Sequence, residues 1–455
     1  MKTIAAEQAL LPTGWRNDVT IRINDDGHIA DIIDTEAPAD HRVGVILPAL
    51  SNVHSHSFQR AMAGLAEQRG PNPIDDFWTW RNVMYHFLDV LTPDDIEDIA
   101  ALVQLEMLEA GYASQGEFHY IHHGPDGARY HQIDETSQRH LHAARKTGIG
   151  YTHLPVLYSQ AGLDGRALEG GQRRFGNDLD GFAALYAALE ASWPDHPDDF
   201  ALGVAPHSLR AATKEGIETC LALAPNGPIH IHAAEQEAEI SEVVAALNAR
   251  PVRWILDHMP VDERWCLIHA THLDTSEIDD LAASNAVVGL CPITEANLGD
   301  GIFPAASFMA KGGEIGIGSD SNVNISLSEE LRVLETSQRL RDRRRVILTR
   351  ENAPSNGRML YEAAATGGAK AIGRNSGRIE PGALADLVAL DTHHLDIIGL
   401  KGDRILDSWV FASTDDLVCD VWSAGRHVVT DGKHIHRAEI ASKFAATIRR
   451  LRAVF

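Results

Sequence analysis

Cysteine is scarce and scattered in this chain. Cys220, Cys266, Cys291 and Cys419 are the only four among 455 residues, and none forms a Cys-x-x-Cys pair. A disulfide framework is therefore excluded, and reduced thiols in a cytoplasm-like compartment are expected. Basic residues are also short: 40 Lys and Arg face 64 Asp and Glu, leaving a formal charge of −24. That balance argues against nucleic acid or an anionic membrane as partner, since both need basic surface. An anionic small substrate would need its own local arginines against that field. No apolar run is long enough to span a bilayer, and Met1-Lys2-Thr3-Ile4-Ala5-Ala6-Glu7 lacks the continuous apolar core of a secretion signal. A soluble, cytoplasmic protein is expected.

What the chain does have is length, a 44% hydrophobic content and 24 histidines. It can bury one large domain with a smaller one beside it. The stretch 47–56 reads Leu-Pro-Ala-Leu-Ser-Asn-Val-His-Ser-His. The apolar run 43–50 reads as a strand leading into His54 and His56. In an extended chain residues i and i+2 share a face, so these two imidazoles can share a metal. Downstream, extended patterns at 112–120, 149–158, 200–206, 228–233, 265–270, 286–291 and 314–318 alternate with helical ones at 135–146, 181–191, 214–224, 237–247, 276–284 and 305–311. With the strand before His54, this makes eight strand–helix units, the signal of a (β/α)8 TIM-type barrel rather than an open sheet.

Within that frame 112–120 is the poorest strand, because Ser114, Gln115 and Gly116 suit a core strand badly. The aromatic segment 77–81 reads as irregular. Thr92-Pro93-Asp94-Asp95 opens a helix that stops at Gly111. Residues 328–345 and 356–373 read as helices, 385–391, 418–422 and 427–430 as strands, and 438–452 as a basic amphipathic helix. Both ends of the chain are β-rich. The expected organisation is a barrel over 44–375, a small β-sandwich domain from 1–43 plus 376–435, and a C-terminal helix in 436–455.

Reacting groups of such barrels stand at the C-terminal ends of the strands. The polar residues fall there. His54 and His56 end the first strand. His230 and His232 lie in the fifth, with Glu235 three residues on. His269 ends the sixth and Asp320 follows the eighth. Nitrogen and oxygen donors of this kind suit zinc, iron(II) or manganese, and a catalytic site leaves one position open for water.

The pattern His54-Ser55-His56, His232, His269 and Ser319-Asp320, closed by 377–391, resembles the amidohydrolase superfamily over nearly the whole chain. The segments 52–64, 77–81, Glu117-Phe118-His119-Tyr120 with His122-His123, Ala205-Pro206-His207-Ser208-Leu209-Arg210 and His232-Ala233-Ala234-Glu235-Gln236 narrow the likeness. They are similar to those of the superfamily members that deiminate N-formimino-L-glutamate in bacterial histidine degradation. The resemblance implies one divalent metal, zinc with iron(II) or manganese as alternatives, held by His54, His56, His232 and Asp320, with His269 off the metal. The segment 200–206 offers no lysine or glutamate to bridge a second ion, which agrees with a single one. The resemblance also implies substrate contacts from Gln59, Arg81, Tyr120, His207 and Arg210, and a homodimer.

The chemistry can be assembled from these side chains. Zinc lowers the pKa of bound water from about 15.7 to about 7, which makes hydroxide available at neutral pH. Asp320 would act as base while hydroxide attacks the amidine carbon. Glu235 would pass a proton to the departing nitrogen, and His269 would steady the intermediate. Two arginines suit the two carboxylates of the substrate's far end. Without the resemblance, His119, His122 and His123 would read as a second metal site; with it, hydrogen-bonding roles are favoured. A deaminase of a guanine, cytosine or pterin-like ring is the nearest alternative, but it would want stacking aromatics and amides rather than two arginines. A non-catalytic barrel is the other, and it would be expected to have lost part of the set His54, His56, His232, Glu235, His269 and Asp320.

Overall fold

The computed structural model describes residues 1–33, 38–67, 77–350 and 353–453. Eight parallel strands form its centre: Leu50–Ser55, Tyr112–His119, Gly150–Leu157, the broken pair Ala201–Leu202 and Ala205–Pro206, then Ile229–Ala233, Trp265–His269, Val287–Leu290 and Glu314–Ile317. Neighbours pair in parallel from the fifth strand through the eighth to the first, and on to the fourth. The ring closes at Val204, whose N–H donates to Pro228 O at 3.0 Å and whose carbonyl accepts from His230 N at 3.0 Å. This is the α/β barrel expected from the alternation. Such strands are covered on both faces and so are mostly apolar.

The second strand is the exception, and its polar residues are paired where they lie. Ser114 Oγ donates to Ser51 Oγ at 2.8 Å, and Glu117 accepts from both the N–H and the hydroxyl of Ser57 at 2.8 and 2.6 Å. Gly116 is required by close approach, since a Cβ there would lie 2.8 Å from Val53 O.

The run 43–50 is not the first barrel strand. His41–Pro48 pairs in parallel with Lys2–Leu11 and antiparallel with Leu387–Leu390, in a second sheet. The chain changes sheets at Pro48, which has no N–H to offer a ladder, and Ala49 N bonds to Asp386 O at 3.0 Å. The barrel begins one residue later, at Leu50. The second sheet is one continuous mixed path of eight strands, in the order Lys433–His434, Arg426–Thr430, Val418–Ser423, Leu387–Leu390, His41–Pro48, Lys2–Leu11, Gly14–Ile23, Ile29–Ile33. Strands from both chain ends thus share it. Ile4, Ile21, Ile46, Leu387 and Trp422 form its own apolar core.

A buried ion network ties this sheet to the barrel. Arg374 donates to both carboxylate oxygens of Asp386 at 2.6 and 2.9 Å, and to Asp199 Oδ2 at 3.1 Å. Arg426 completes it on Asp199 at 2.7 and 2.9 Å.

The segment expected to be irregular at 77–81 lies instead in a helix, Phe77–Leu88. Helices Pro251–His258, Pro292–Leu298 and Asp403–Ala412 also go beyond the expected set. Thr92 and Asp95 cap Pro93–Glu109 reciprocally, and the C-terminal helix Arg437–Arg452 packs on it, with Thr447 Oγ1 donating to Asp98 at 2.9 Å. Among the described residues all four cysteines are free, and no helix is long and apolar enough to cross a membrane.

Candidate functional site

Four segments bring their strand-end residues to one point. His54, His56 and His232 are buried, and their ring nitrogens lie within 4.8 Å of one another. Asp320 Oδ1 stands 3.5 Å from Nε2 of both His54 and His56. The approach of Asp320 depends on Gly318, where a Cβ would sit 2.8 Å from the backbone of His54. Backbone bonds then lock the junction: Asp320 N donates to His54 O and His56 N donates to Asp320 O, both at 2.9 Å. Asn52, Ser319 and Asn322 form a buried network beneath, with Asn52 Nδ2 to Ser319 Oγ at 2.7 Å and Ser319 Oγ to Asn322 Oδ1 at 2.6 Å. Ala234, His269 and Asp320 all have positive φ, at 55°, 69° and 45°. Such conformations persist where the surroundings over-determine them, and they cluster at working sites.

The donor set fits a cation. His56 Nδ1 lies 3.0 Å from Phe118 O, and His232 Nδ1 lies 3.1 Å from His207 O. Carbonyl oxygens only accept, so both Nδ1 atoms carry the proton and both Nε2 atoms present lone pairs to the centre. There they meet His54 Nε2, 3.2 Å from His232 Nε2, and the Asp320 carboxylate. Several acceptors converging on one buried point call for a positive charge among them. Burial also pushes the His54 imidazole down to about 3, so it stays neutral and able to ligate. For Asp320, burial works to raise the carboxyl, but hydrogen bonding to His54 and the neighbouring imidazoles hold it below the usual range.

Beside this cluster, His269 Nε2 lies 3.7 Å from Asp320 Oδ2 and 3.8 Å from Glu235 Oε1. Its Nδ1 lies 3.2 Å from Glu295 Oε1. Burial alone would depress His269, but Glu235, Glu295 and Asp320 together raise it to about 10. Burial, helped by the Asp320 charge and opposed by His269, lifts Glu235 to about 7.

The same pocket is lined at its other side by Arg81, Tyr158 and Arg210, with Gln59, Tyr120, His207, Trp80, Met84 and Phe175 between. Arg210 Nη1 donates to Tyr158 Oη at 2.8 Å, and Arg81 Nη2 to the same oxygen at 3.2 Å. Among the described residues no carboxylate lies within ion-pair distance of Arg210. Gln59 Nε2 donates to Tyr120 Oη at 2.9 Å, and the Tyr120 ring packs 4.8 Å from His56. The His207 ring lies 4.9 Å from His232, and burial with the Arg210 charge keeps it well below its ordinary pKa. His56, His232, Glu235, His269, Asp320, Gln59, Arg81, Tyr120, His207 and Arg210 thus line one cavity, with His54 buried against His232, whereas His230 turns away to Ala371 O at 2.8 Å.

His119, His122 and His123 do not join the cluster. They bond to Thr136 Oγ1, Val156 O and Gly176 O at 3.1, 2.9 and 2.8 Å. Sequence reasoning missed three contributors. Phe118 supplies the carbonyl for His56 and packs its ring 4.4 Å from His232. Glu295 holds His269 from a short helix with no sequence signal of its own. Tyr158 directly follows the third strand, so the strand-end rule could have found it.

Comparison with known proteins agrees with this geometry. The amidohydrolase family matches residues 45–428, and residues 1–42 match the family described as the N-terminal domain of formimidoylglutamate deiminase HutF. The chain is 48% identical to formimidoylglutamate deiminase of Pseudomonas aeruginosa over 454 residues, covering 99% of this chain and 100% of that one. Among solved structures, an amidohydrolase from Brucella melitensis superimposes with a TM-score of 0.95 at 45% identity, over 99% of this chain and 100% of the other. An adenosine deaminase from Xanthomonas campestris with bound zinc shares the fold, with a TM-score of 0.82 at 22% identity over 99% and 98% of the two chains.

Proposed function

The chain belongs to the amidohydrolase family, and from that premise we propose that it is a metal-dependent deiminase hydrolysing N-formimino-L-glutamate to N-formyl-L-glutamate and ammonia. One observation carries the reading. A single pocket holds a cation-binding cluster with proton-carrying groups on one side, and two guanidiniums suited to a diacid on the other.

One divalent ion, zinc in our reading, would be held by His54, His56, His232 and Asp320, and when bound it supplies acidified water at neutral pH. The chain's own groups do the rest. Asp320, poised 3.5 Å from two of these imidazoles, takes the proton of the water that adds to the amidine carbon. His269, kept protonated between Glu235, Glu295 and Asp320, stabilises the negative charge around the tetrahedral carbon. Glu235, with its pKa lifted to about 7, can hold a proton and release it near neutrality. It delivers that proton to the terminal amidine nitrogen, the C–N bond breaks, and ammonia leaves. The added hydroxyl gives its remaining hydrogen to the emptied Glu235 carboxylate as it becomes the formyl carbonyl, and the proton taken by Asp320 departs with the ammonia, so both hydrogens of the water are accounted for. Arg210 and Arg81 anchor the carboxylates, with Gln59, Tyr120 and His207 walling the passage between.

The test is a screen for ammonia release by metal-replete protein across linear amidines, guanidines and amino-substituted rings. N-formimino-L-glutamate should be the best substrate, by at least about a hundredfold in kcat/KM over any ring compound. A preference for a heterocycle would overturn the assignment.

A further inference from the structure

Glu239 has no part in the scheme above, yet its carboxylate is engaged in an unusual place. It stands third in the helix Glu237–Leu247, whose N-cap is Gln236. A carboxylate at that position ordinarily turns back to the N–H of the N-cap residue itself. Glu239 instead reaches past it. Its Oε1 accepts from Ala234 N at 3.0 Å and its Oε2 from Glu235 N at 2.9 Å, one oxygen for each of two successive amides. Both amides belong to the turn that leads out of the fifth strand, Ile229–Ala233, at the pocket.

That turn needs such a hold. Ala234 has a φ of 55°, a left-handed conformation that disfavours any residue with a Cβ and persists only where its surroundings fix it. On the other side of the turn, the Ala234 carbonyl accepts from His272 N at 3.2 Å, and the Gln236 side chain donates to Asp300 Oδ1. The turn held in this way leaves Glu235 lining the pocket, its Oε1 3.8 Å from His269 Nε2. We infer that Glu239 is a positioning residue for the proton transfer: its two-pronged grip on the Ala234 and Glu235 amides sets where the Glu235 carboxyl stands. The inference rests on the deiminase reading for what Glu235 does, and it adds the group that holds Glu235 in place.

A double-mutant cycle separates this role from a merely structural one. Glu239→Gln keeps the length of the side chain but offers an NH2 group where one of the two amides needs an acceptor. In metal-replete protein it should lower kcat for N-formimino-L-glutamate about 10- to 100-fold, with KM within about threefold and one ion still bound per chain. In the Glu235→Gln background the same change should cost less than about threefold, because the group it positions is already gone. Glu239→Asp, which keeps both acceptors on a shorter stem, should give the same pattern with a smaller loss. The cycle is read on the compound of the ammonia screen that the parent turns over best, so a wrong substrate shows in the parent and a wrong role for Glu239 shows only in the variants. An unchanged kcat, equal losses in the two backgrounds, or loss of the bound ion in both Glu239 variants would overturn the inference.

Discussion

Replacing Glu235 by glutamine is expected to cut kcat for ammonia release about 10²–10⁴-fold, the usual worth of a positioned acid–base group, while the protein retains its metal. Glutamine keeps the shape and can still hydrogen bond, but it cannot carry a proton between the attacking water and the departing nitrogen. The site is built so that this function has no substitute. Asp320, held in the low range by its imidazole neighbours, is a carboxylate with no proton to donate near neutrality, and His269, raised to about 10, does not readily release the one it holds. Only Glu235, at about 7, is matched to both halves of the transfer. Because Glu235 lies 3.8 Å from His269 and outside the imidazole cluster, the substitution leaves His54, His56 and His232 in place. Metal analysis of the purified variant, read beside its kcat, checks both halves. Activity within about threefold of the parent would remove Glu235 from the proton path.

The second large effect is expected at the opposite side of the pocket. Arg210→Ala should lower kcat/KM for N-formimino-L-glutamate by roughly 30-fold to several thousand-fold, chiefly through KM. Truncating one partner of a buried, hydrogen-bonded charge pair costs about 2–5 kcal/mol, and each 1.4 kcal/mol is about tenfold. The chain's charge of −24 sharpens the argument, because a dianion gains nothing from the surrounding field and depends on such local cations. Arg210→Lys should recover only part of the loss, since an ammonium cannot reproduce the two-pronged fork. Steady-state kinetics on the three proteins decides. If Arg210→Ala turned over the diacid normally, the substrate would not be anchored here.

The barrel and the cation cluster were legible in the sequence because both leave periodic marks. Strand–helix alternation is set by burial on both strand faces, and a barrel collects functional groups at one set of strand ends. Asp320 and His269 could thus be placed beside His54 though they lie more than two hundred residues away in the chain. The run 43–50 was misplaced because a buried strand looks alike in either sheet; only pairing with Lys2–Leu11 and Leu387–Leu390 decides, and pairing is long-range. Strand 200–206 appears in two pieces because Gly203 and Val204 turn to the fifth strand, where a Cβ at 203 would meet Pro228 O at 2.4 Å. Arg81 was singled out by resemblance, not pattern, since it lies in a helix rather than at a strand end. Glu295 lies beside His269 across 26 residues of chain, and such a contact leaves no local signature.

The most direct test of the central claim is a metal titration of chelator-stripped protein, scored by ammonia released from N-formimino-L-glutamate. Activity should be absent without metal, rise linearly with added zinc, and reach its plateau at one ion per chain. His232→Ala should lose both the tightly bound ion and the turnover. Full activity in the stripped protein, or a plateau that needs two ions, would contradict a single cation held by His54, His56, His232 and Asp320.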